Sequence, residues 1–243
     1  MPRKGRIESV ADSNASPGGG AAVDKAVSVL GAFLPGDESL ALSELAERTQ
    51  LYKSTVLRLL ASLEHGRLIQ KLDTGRYALG SEVARLYGIY AASFSLDRLV
   101  LPVLHALVKE TGESAAYHVR QGDSRLCLYR VDSPHPIRDH VRAGEVLPLD
   151  RGTGGRVLVA FDKALLSSVP RKERKLYSEI VGQGYYAVAG DRLAEVAGIS
   201  APVFRADKEI AGALTLTMPA HRYQAQYIAA VLAAAKELSG KLV

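Results

Sequence analysis

The chain has 243 residues, of which 47% are hydrophobic and 23% charged, enough for two modest domains of ordinary globular make-up. A net charge of +5 favours a polyanionic partner, while 6% aromatic residues and no tryptophan argue against extended base stacking of the single-strand-binding kind. Cys127 is the one cysteine, which excludes an internal disulfide or a cysteine zinc cluster and suits a reducing cytoplasm; no apolar run approaches the roughly 20 residues of a membrane span.

Residues 1–20 carry Arg3, Lys4 and Arg6 and then a polar, Gly-rich stretch without the apolar centre of a secretory signal. They read as a disordered N-terminal arm. Residues 21–80 read as a DNA-binding domain. Val23, Ala26, Val27, Leu30, Phe33 and Leu34 recur at helical spacing, and Pro35-Gly36-Asp37 ends that support helix. Ser43 is the expected N-cap of the next helix, with Glu44 and Glu47 near its positive end, before a turn at Thr49-Gln50-Leu51.

In the helix that follows, Val56, Leu59, Leu60 and Leu63 fall at i, i+3, i+4 and i+7 and form one apolar stripe. Lys53, Ser54, Arg58 and Ser62 project from the opposite side, with Thr55 at its edge. A cation and small hydroxyls on the free face of a short helix suit the major groove, where they reach phosphates and base edges. Gly66 is the expected left-handed cap. Residues 68–72 and 76–79 flank Asp73-Thr74-Gly75 as a hairpin, so the order is that of a winged helix-turn-helix. The rival reading is a small αα-hairpin packed on a ribbon, which leaves the polar face unexplained.

Val83, Leu86, Tyr87 and Tyr90 mark a connector helix over residues 81–95, packed either on its own domain or on the same helix of a second subunit. Residues 96–243 read as a second domain. A helix with Val100, Leu104, Leu107 and Val108 ends at Gly112, and strands at 115–120 and 126–131 form a hairpin about residues 121–124. Further strands are expected at 137–142, 185–188, 199–204 and 210–217, and helices at 156–161, 173–181 and 223–242. Strands bracketed by helices without βαβ alternation argue an α+β fold on an antiparallel sheet.

Arg151-Gly152-Thr153-Gly154-Gly155 precedes a helix start, so it is either a tight structural turn or a place where backbone N–H groups meet a carboxylate. Thr215 and Thr217 share one strand face, facing either solvent or a site; Tyr117 and His118 point to opposite faces of theirs. Enzyme motifs fail. Gly152-Thr153-Gly154 lacks the third glycine of a dinucleotide fingerprint, Val157 standing there, and Gly182-Gln183-Gly184-Tyr185-Tyr186-Ala187 runs from a helix into a strand, the reverse of the required order. There is no P-loop and no Gly-x-Ser-x-Gly elbow, and His135 and His140 have the wrong spacing for two metal ligands on a helix.

The whole order resembles the IclR family of bacterial transcriptional regulators. The most specific segment is Leu51-Tyr52-Lys53-Ser54-Thr55-Val56-Leu57-Arg58-Leu59-Leu60, similar to the family's Leu-Pro-Lys-Ser-Thr-Val-x-Arg-Leu-Leu signature. Gly75-Arg76-Tyr77-Ala78-Leu79-Gly80, Gly184-Tyr185-Tyr186-Ala187-Val188 and Ile199-Ser200-Ala201-Pro202-Val203-Phe204 match in the same order. The resemblance implies a winged-helix domain, a GAF-like effector-binding domain, and dimers or tetramers on palindromic operators. It also implies an effector contact at the Gly152–Gly154 loop and an acidic pocket residue at Asp191. Tyr52 departs from the signature's proline, Leu57 stands where a polar residue is common, and Gly198 occupies the place of a frequent pocket cysteine.

The expectation is therefore a cytoplasmic repressor, not an enzyme and without a cofactor, that binds double-stranded operator DNA as a homodimer or tetramer and is switched by a small organic acid, aromatic or aliphatic. Tyr52, Lys53, Ser54, Thr55, Leu57 and Arg58 are the expected DNA contacts, with Arg76 on a phosphate. Tyr117, His118, Gly152, Thr153, Gly154, Asp191, Thr215 and Thr217 are the expected effector contacts. The rival is a small-molecule enzyme or sensor whose N-terminal helices serve protein contacts.

Overall fold

The computed structural model describes residues 8–94, 96–239 and 241. It divides into two compact units, Met1–Ser93 and Phe94–Val243. Among the described residues no helix is long and apolar enough to cross a membrane.

The first unit opens with one helical turn, α1 (Val10–Ser13), capped reciprocally: Ser9 Oγ accepts from the Asp12 amide and the Asp12 carboxylate accepts from the Ser9 amide, both at 3.2 Å. Ser9 and Ala11 are buried, so this part of the expected disordered arm is ordered; residues 1–7 lie outside the described residues. In α2 (Ala21–Gly31) the helix turns Val29 into the core, with Ala26, Leu30 and Phe33 against it, and leaves Val23, Val27 and Leu34 exposed. Spacing alone drew the stripe too wide, taking in Val23, Val27 and Leu34 beside the residues that pack.

Ser43 does not cap α3 (Leu42–Thr49): Ala41 holds the cap position, and its amide donates to the Glu44 carboxylate at 2.6 Å. Gln50 takes the left-handed turn, φ 56°, into α4 (Lys53–His65). After α4 the left-handed residue is Arg67, φ 56°, and not Gly66, whose φ is −76°. The wing pairs β1 (Ile69–Lys71) with β2 (Tyr77–Leu79). Leu40 and Tyr77 exchange backbone bonds of 2.7 and 2.8 Å, tying the wing to the helices. Leu40, Leu45, Val56, Leu60 and Ile69 are each at most 1% exposed in the core beneath. The connector α5 (Ser81–Phe94) then leaves Leu86, Tyr87 and Ile89 exposed.

The second unit is an antiparallel six-stranded sheet with helices on both faces, as the α+β reading expects. Its elements run α6 (Leu96–Thr111), β3 (Ser114–Gln121), β4 (Ser124–Val131), β5 (Val146–Pro148), α7 (Thr153–Phe161), α8 (Lys163–Ser167), α9 (Arg174–Gln183), β6 (Tyr186–Ala189), β7 (Val196–Phe204), β8 (Ile210–Pro219) and α10 (Tyr227–Leu238), in the strand order β5-β4-β3-β8-β7-β6. Strand alternation sorts the side chains. Tyr117, Ile199, Ala201, Leu214 and Leu216 pack with α6 and α10, while Ser200, Ala213 and Thr215 face α7. A register shift between Tyr117 and His118 marks a bulge where two β4 positions oppose one on β3.

Three expectations fail here. Residues 137–142 form no strand; the third strand is β5, and the Asp139 carbonyl accepts from the Arg130 side chain at 2.7 Å instead of from a neighbouring strand. The first helical residue of α7 is Thr153, so Gly154 and Gly155 lie inside the helix and only Gly152, φ 76°, remains as its cap. The last helix begins at Tyr227, four residues late, after a 3-10 turn at Ala220–Arg222. The short α8 had no sequence signal.

Candidate functional site

Two constellations stand out, one in each unit. On α4, Val56 and Leu60 anchor the helix from below, which turns the opposite side outward. Tyr52 is 75% and Leu57 46% exposed; Lys53, Ser54 and Arg58 are exposed and Thr55 half-buried. Among the described residues neither Lys53 nor Arg58 has a hydrogen-bond or ion-pair partner. Of the six contacts expected here, five are thus exposed at the start of α4 or on its N-cap, and Thr55 is half-buried.

Arg76 is different. Its Nε donates to Ser39 Oγ at 3.0 Å, and its Nη2 donates to the Ser39 carbonyl at 2.8 Å and to Glu44 at 2.9 Å. It staples the wing to the start of α3 through the Nε–Nη2 edge of its guanidinium. The Ala41 amide, and then Arg76, hold the Glu44 carboxyl below its ordinary range. The exposed cation at the end of β1 is Lys71.

In the second unit a narrow cleft opens where the start of α7 meets the sheet. Gly152 caps α7, which supplies Thr153 and Gly154, while His118 comes from β3, Gly198 from β7, Thr215 and Thr217 from β8, and Asp191 from the loop after β6. Seven of the eight expected effector residues therefore meet. Tyr117 does not: it is 1% exposed in the core under α6, because β-strand alternation sends it away from His118.

The start of α7 is occupied by the protein's own carboxylate. The Gly152 amide donates to Asp191 at 2.5 Å, and Asp191 lies 3.5 Å from Arg156 Nε. Arg156 in turn donates to Glu173 at 2.8 Å and to the Tyr177 hydroxyl at 3.0 Å. A buried hydroxyl chain locks the helix onto the sheet, Ser200 Oγ lying 2.8 Å from both Thr153 Oγ1 and Thr215 Oγ1. The fit requires glycine at 198, where a Cβ would meet Thr153 Oγ1 at 2.5 Å. At Gly154 a Cβ would meet Thr215 Oγ1 at 2.8 Å.

Sequence reasoning missed the charged wall of this cleft: Arg125 and Arg130 on β4, Asp139, and Arg192. Arg125 is 3% exposed, and its Nη1 donates to the carbonyls of Pro148 at 3.1 Å, Arg151 at 2.7 Å and Gly152 at 3.4 Å. Burial, with the repulsion of Arg192, pushes its pKa down to about 10, so it remains a cation at neutral pH. Arg192 Nη2 pairs with Asp139 Oδ1 at 2.8 Å, and Arg130 Nε with Asp132 at 2.7 Å. Burial first, then Arg125, Arg130 and Arg192, drive the His118 pKa well below its ordinary value, so that imidazole is neutral. Burial also pushes the Cys127 thiol up to about 12, which removes it as a nucleophile.

Four buried polar atoms of the cleft have no hydrogen-bond partner: His118 Nδ1, Arg125 Nε, Asp139 Oδ2 and Thr217 Oγ1. Buried polar groups are rarely left so, and ordered water or a bound molecule completes such bonding. The signal for Arg125 and Arg130 was present as charges inside an apolar strand; Asp139 and Arg192 lie in loops with no pattern.

Comparison with known proteins identifies both units. Residues 22–73 match the profile of the IclR helix-turn-helix domain, and residues 89–175 that of the bacterial transcriptional regulator IclR C-terminal domain. The chain belongs to the IclR family. It is 25% identical to the HTH-type transcriptional regulator KipR of Bacillus subtilis over 80% of this chain and 84% of that one. It is 26% identical to the glycerol operon regulatory protein of Streptomyces coelicolor over 80% of this chain and 83% of that one. An IclR homologue of Microbacterium hydrocarbonoxydans, solved with 4-hydroxybenzoate, superposes with a TM-score of 0.79 at 20% identity, covering 90% of this chain and 97% of that one. The IclR regulator of Alicyclobacillus acidocaldarius gives 0.79 at 22%, covering 92% and 97%. At those identities the likeness is one of fold. The protein is accordingly a DNA-binding transcriptional regulator.

Proposed function

We propose that this regulator represses transcription from palindromic operators and is switched by a small carboxylate held in the C-terminal cleft. One observation carries the reading: a single chain joins an unpartnered basic face on α4 to a cleft with four unsatisfied buried polar atoms. Tyr52, Lys53, Ser54, Thr55, Leu57 and Arg58 enter the major groove, Arg58 and the hydroxyls reading base edges, Lys53 a phosphate, and Leu57 the methyl of a thymine. Lys71, in place of Arg76, meets phosphate from the wing. The relative solved with 4-hydroxybenzoate supports an acid as the ligand class. Seven residues meet the ligand: His118, Gly152, Thr153, Gly154, Asp191, Thr215 and Thr217.

The cleft serves binding and not turnover: His118 is held neutral among arginines, Cys127 is a protonated thiol, and the relatives are regulators. An operator-bound dimer represses by occupancy alone, with no further contact to polymerase. The exposed Leu86, Tyr87 and Ile89 of α5 are the surface on which we place the homodimer. Its DNA partner puts it in the cytoplasm. A ligand switches the regulator only through unequal affinity for its DNA-competent and incompetent states.

The test is a thermal-shift screen of organic acids, followed by operator binding with each hit, since a ligand of the native state raises Tm. The reading expects an acid that raises Tm and changes operator affinity. Acids that leave both unchanged, or raise Tm with no effect on DNA binding, contradict it.

A further inference from the structure

The geometry points to a second DNA-holding surface. The cation cluster Arg171, Lys172, Arg174 and Lys175, at the start of α9 in the C-terminal unit, holds the phosphates of duplex that flanks the sequence read by α4. It involves neither α4 nor the cleft.

The chain's positive excess does not lie where DNA is read. Met1–Ser93 holds 11 Lys and Arg against 10 Asp and Glu, a net +1, while Phe94–Val243 holds 20 against 16, a net +4. Sequence-independent attraction to DNA comes from cations that displace counterions from phosphates. A reading unit so nearly neutral supplies little of it beyond its own α4 face, and the surplus sits on the other unit.

Many surface cations of that unit are paired: Arg120 with Asp162, Arg151 with Asp150, Lys163 with Glu209 and Arg222 with Glu113. Residues 171–175 differ. Arg171, Lys172, Arg174 and Lys175 are all exposed, and no other five-residue stretch of the chain holds four cations. Glu173 between them pairs with Arg156 at 2.8 Å, and Lys175 lies 3.9 Å from Glu179. Arg171, Lys172 and Arg174 have no hydrogen-bond or ion-pair partner among the described residues. Asp123 and Asp150 line the hollow beside Pro170 and Glu173. Arg151 holds Asp150, which leaves Asp123 as one carboxylate against three free cations.

Stability of the fold does not explain the cluster. A helix N-terminus is the positive end of its dipole and favours acids, yet the first turn of α9 has none and begins with Arg174 and Lys175. Such crowding is unfavourable until an anion covers it. The stretch shows charged side chains only, Leu176 being half-buried and Tyr177 buried, so it lacks the exposed aromatic or aliphatic anchor that centres a protein interface. Phosphate fits it better. DNA held by α4 is already attached to the same chain, which presents its backbone to the cluster at high local concentration.

The test is binding of the full chain to a duplex selected from a random pool, as the selected core alone and extended by about 20 bp, roughly two helical turns, on each side. One variant combines Arg171→Gln, Lys172→Gln, Arg174→Gln and Lys175→Gln. On the extended duplex its plot of log affinity against log salt should be shallower than wild type by about 2–4, for about two to four phosphates released. On the core alone affinity and slope should match the wild type, and Tm should not fall, because unfavourable charge has left a helix start. A control with Lys109→Gln, Arg205→Gln, Lys208→Gln and Lys236→Gln removes the same charge from exposed positions elsewhere in the unit and should keep the wild-type slope. Equal slopes for wild type and cluster variant on the extended duplex overturn the inference. So does a control that flattens the slope as much, or a loss as large on the core as on the extended duplex. Should the combined variant not fold, Arg171→Gln with Lys172→Gln, both before α9, should still flatten the slope by about 1–2. None of these outcomes touches the reading of α4, which stands or falls on Arg58.

Discussion

Gly198→Ala is the sharpest test of how the cleft is built. An added Cβ would stand 2.5 Å from Thr153 Oγ1, 3.2 Å from its Cγ2 and 3.4 Å from its Cβ, so the whole side chain must yield. Thr153 cannot yield cheaply, because its Oγ1 accepts from Ser200 at 2.8 Å and its backbone is the first helical residue of α7. Overpacking of this kind costs about 1–3 kcal/mol, and losing the hydrogen bond adds about 1 kcal/mol. Gly198→Ala should therefore cost about 2–4 kcal/mol. Thr153→Ala alone should cost less, since Ser200 keeps Thr215 as a partner. With Thr153 cut back, the contacts at 2.5 and 3.2 Å disappear and only its Cβ at 3.4 Å remains, so the double variant should be more stable than the sum of the single changes by at least about 1 kcal/mol. Urea unfolding followed by circular dichroism reads this, the chain having no tryptophan to follow. Additive costs, agreeing within about 0.5 kcal/mol, would refute the proposed contact.

Arg76→Ala should lower the Tm, because its Nε and Nη2 bond Ser39 and Glu44, and should leave the salt dependence of DNA binding unchanged if the side chain serves only as that staple; a shallower salt slope would restore it as a phosphate contact. His118, held neutral by burial, contributes stability that is complete above its unfolded pKa of about 6.5 and is lost as pH falls below it, because there the unfolded chain binds the extra proton. Below that pH the stability difference between wild type and His118→Gln should shrink by up to about 1.4 kcal/mol per pH unit; a difference independent of pH between 5 and 7 would mean that the imidazole is not buried as described. Arg125, Arg130 and Arg192 all face it and oppose its protonation. Tyr87→Glu, on the exposed side of α5, should convert a dimer to monomer in light scattering if that face holds the partner subunit.

The reading head was legible because local rules suffice there. A Val56–Leu60–Leu63 stripe fixes which side of α4 is buried, and the hairpin turn fixes the wing. The α2 stripe was drawn too wide, because valines stand on more than one side of that helix and only tertiary packing chooses Val29 over Val23 and Val27. In the cleft, alternation put Thr215 and Thr217 on one face and sent Tyr117 and His118 to opposite faces, but which of those two enters the cleft needed the fold. Long-range pairings were beyond a sequence. Arg76 with Glu44, and Arg192 with Asp139, are 32 and 53 residues apart, and nothing local in the chain announces either. Residues 137–142 carry the composition of a strand, yet the Arg130 side chain takes the Asp139 carbonyl that a ladder would have used.

The central claim, that the exposed face of α4 reads DNA, is tested most directly by the affinity of Arg58→Ala for a duplex that the wild type selects from a random pool. Each well-made bidentate base contact is worth about 1–3 kcal/mol of discrimination, so the variant should bind that duplex at least about tenfold more weakly and tolerate substitutions at the contacted base. Its folding should be unaffected, since Arg58 is exposed. Wild-type affinity and unchanged sequence preference in Arg58→Ala would contradict the account, as would a pool in which the wild type enriches no sequence at all.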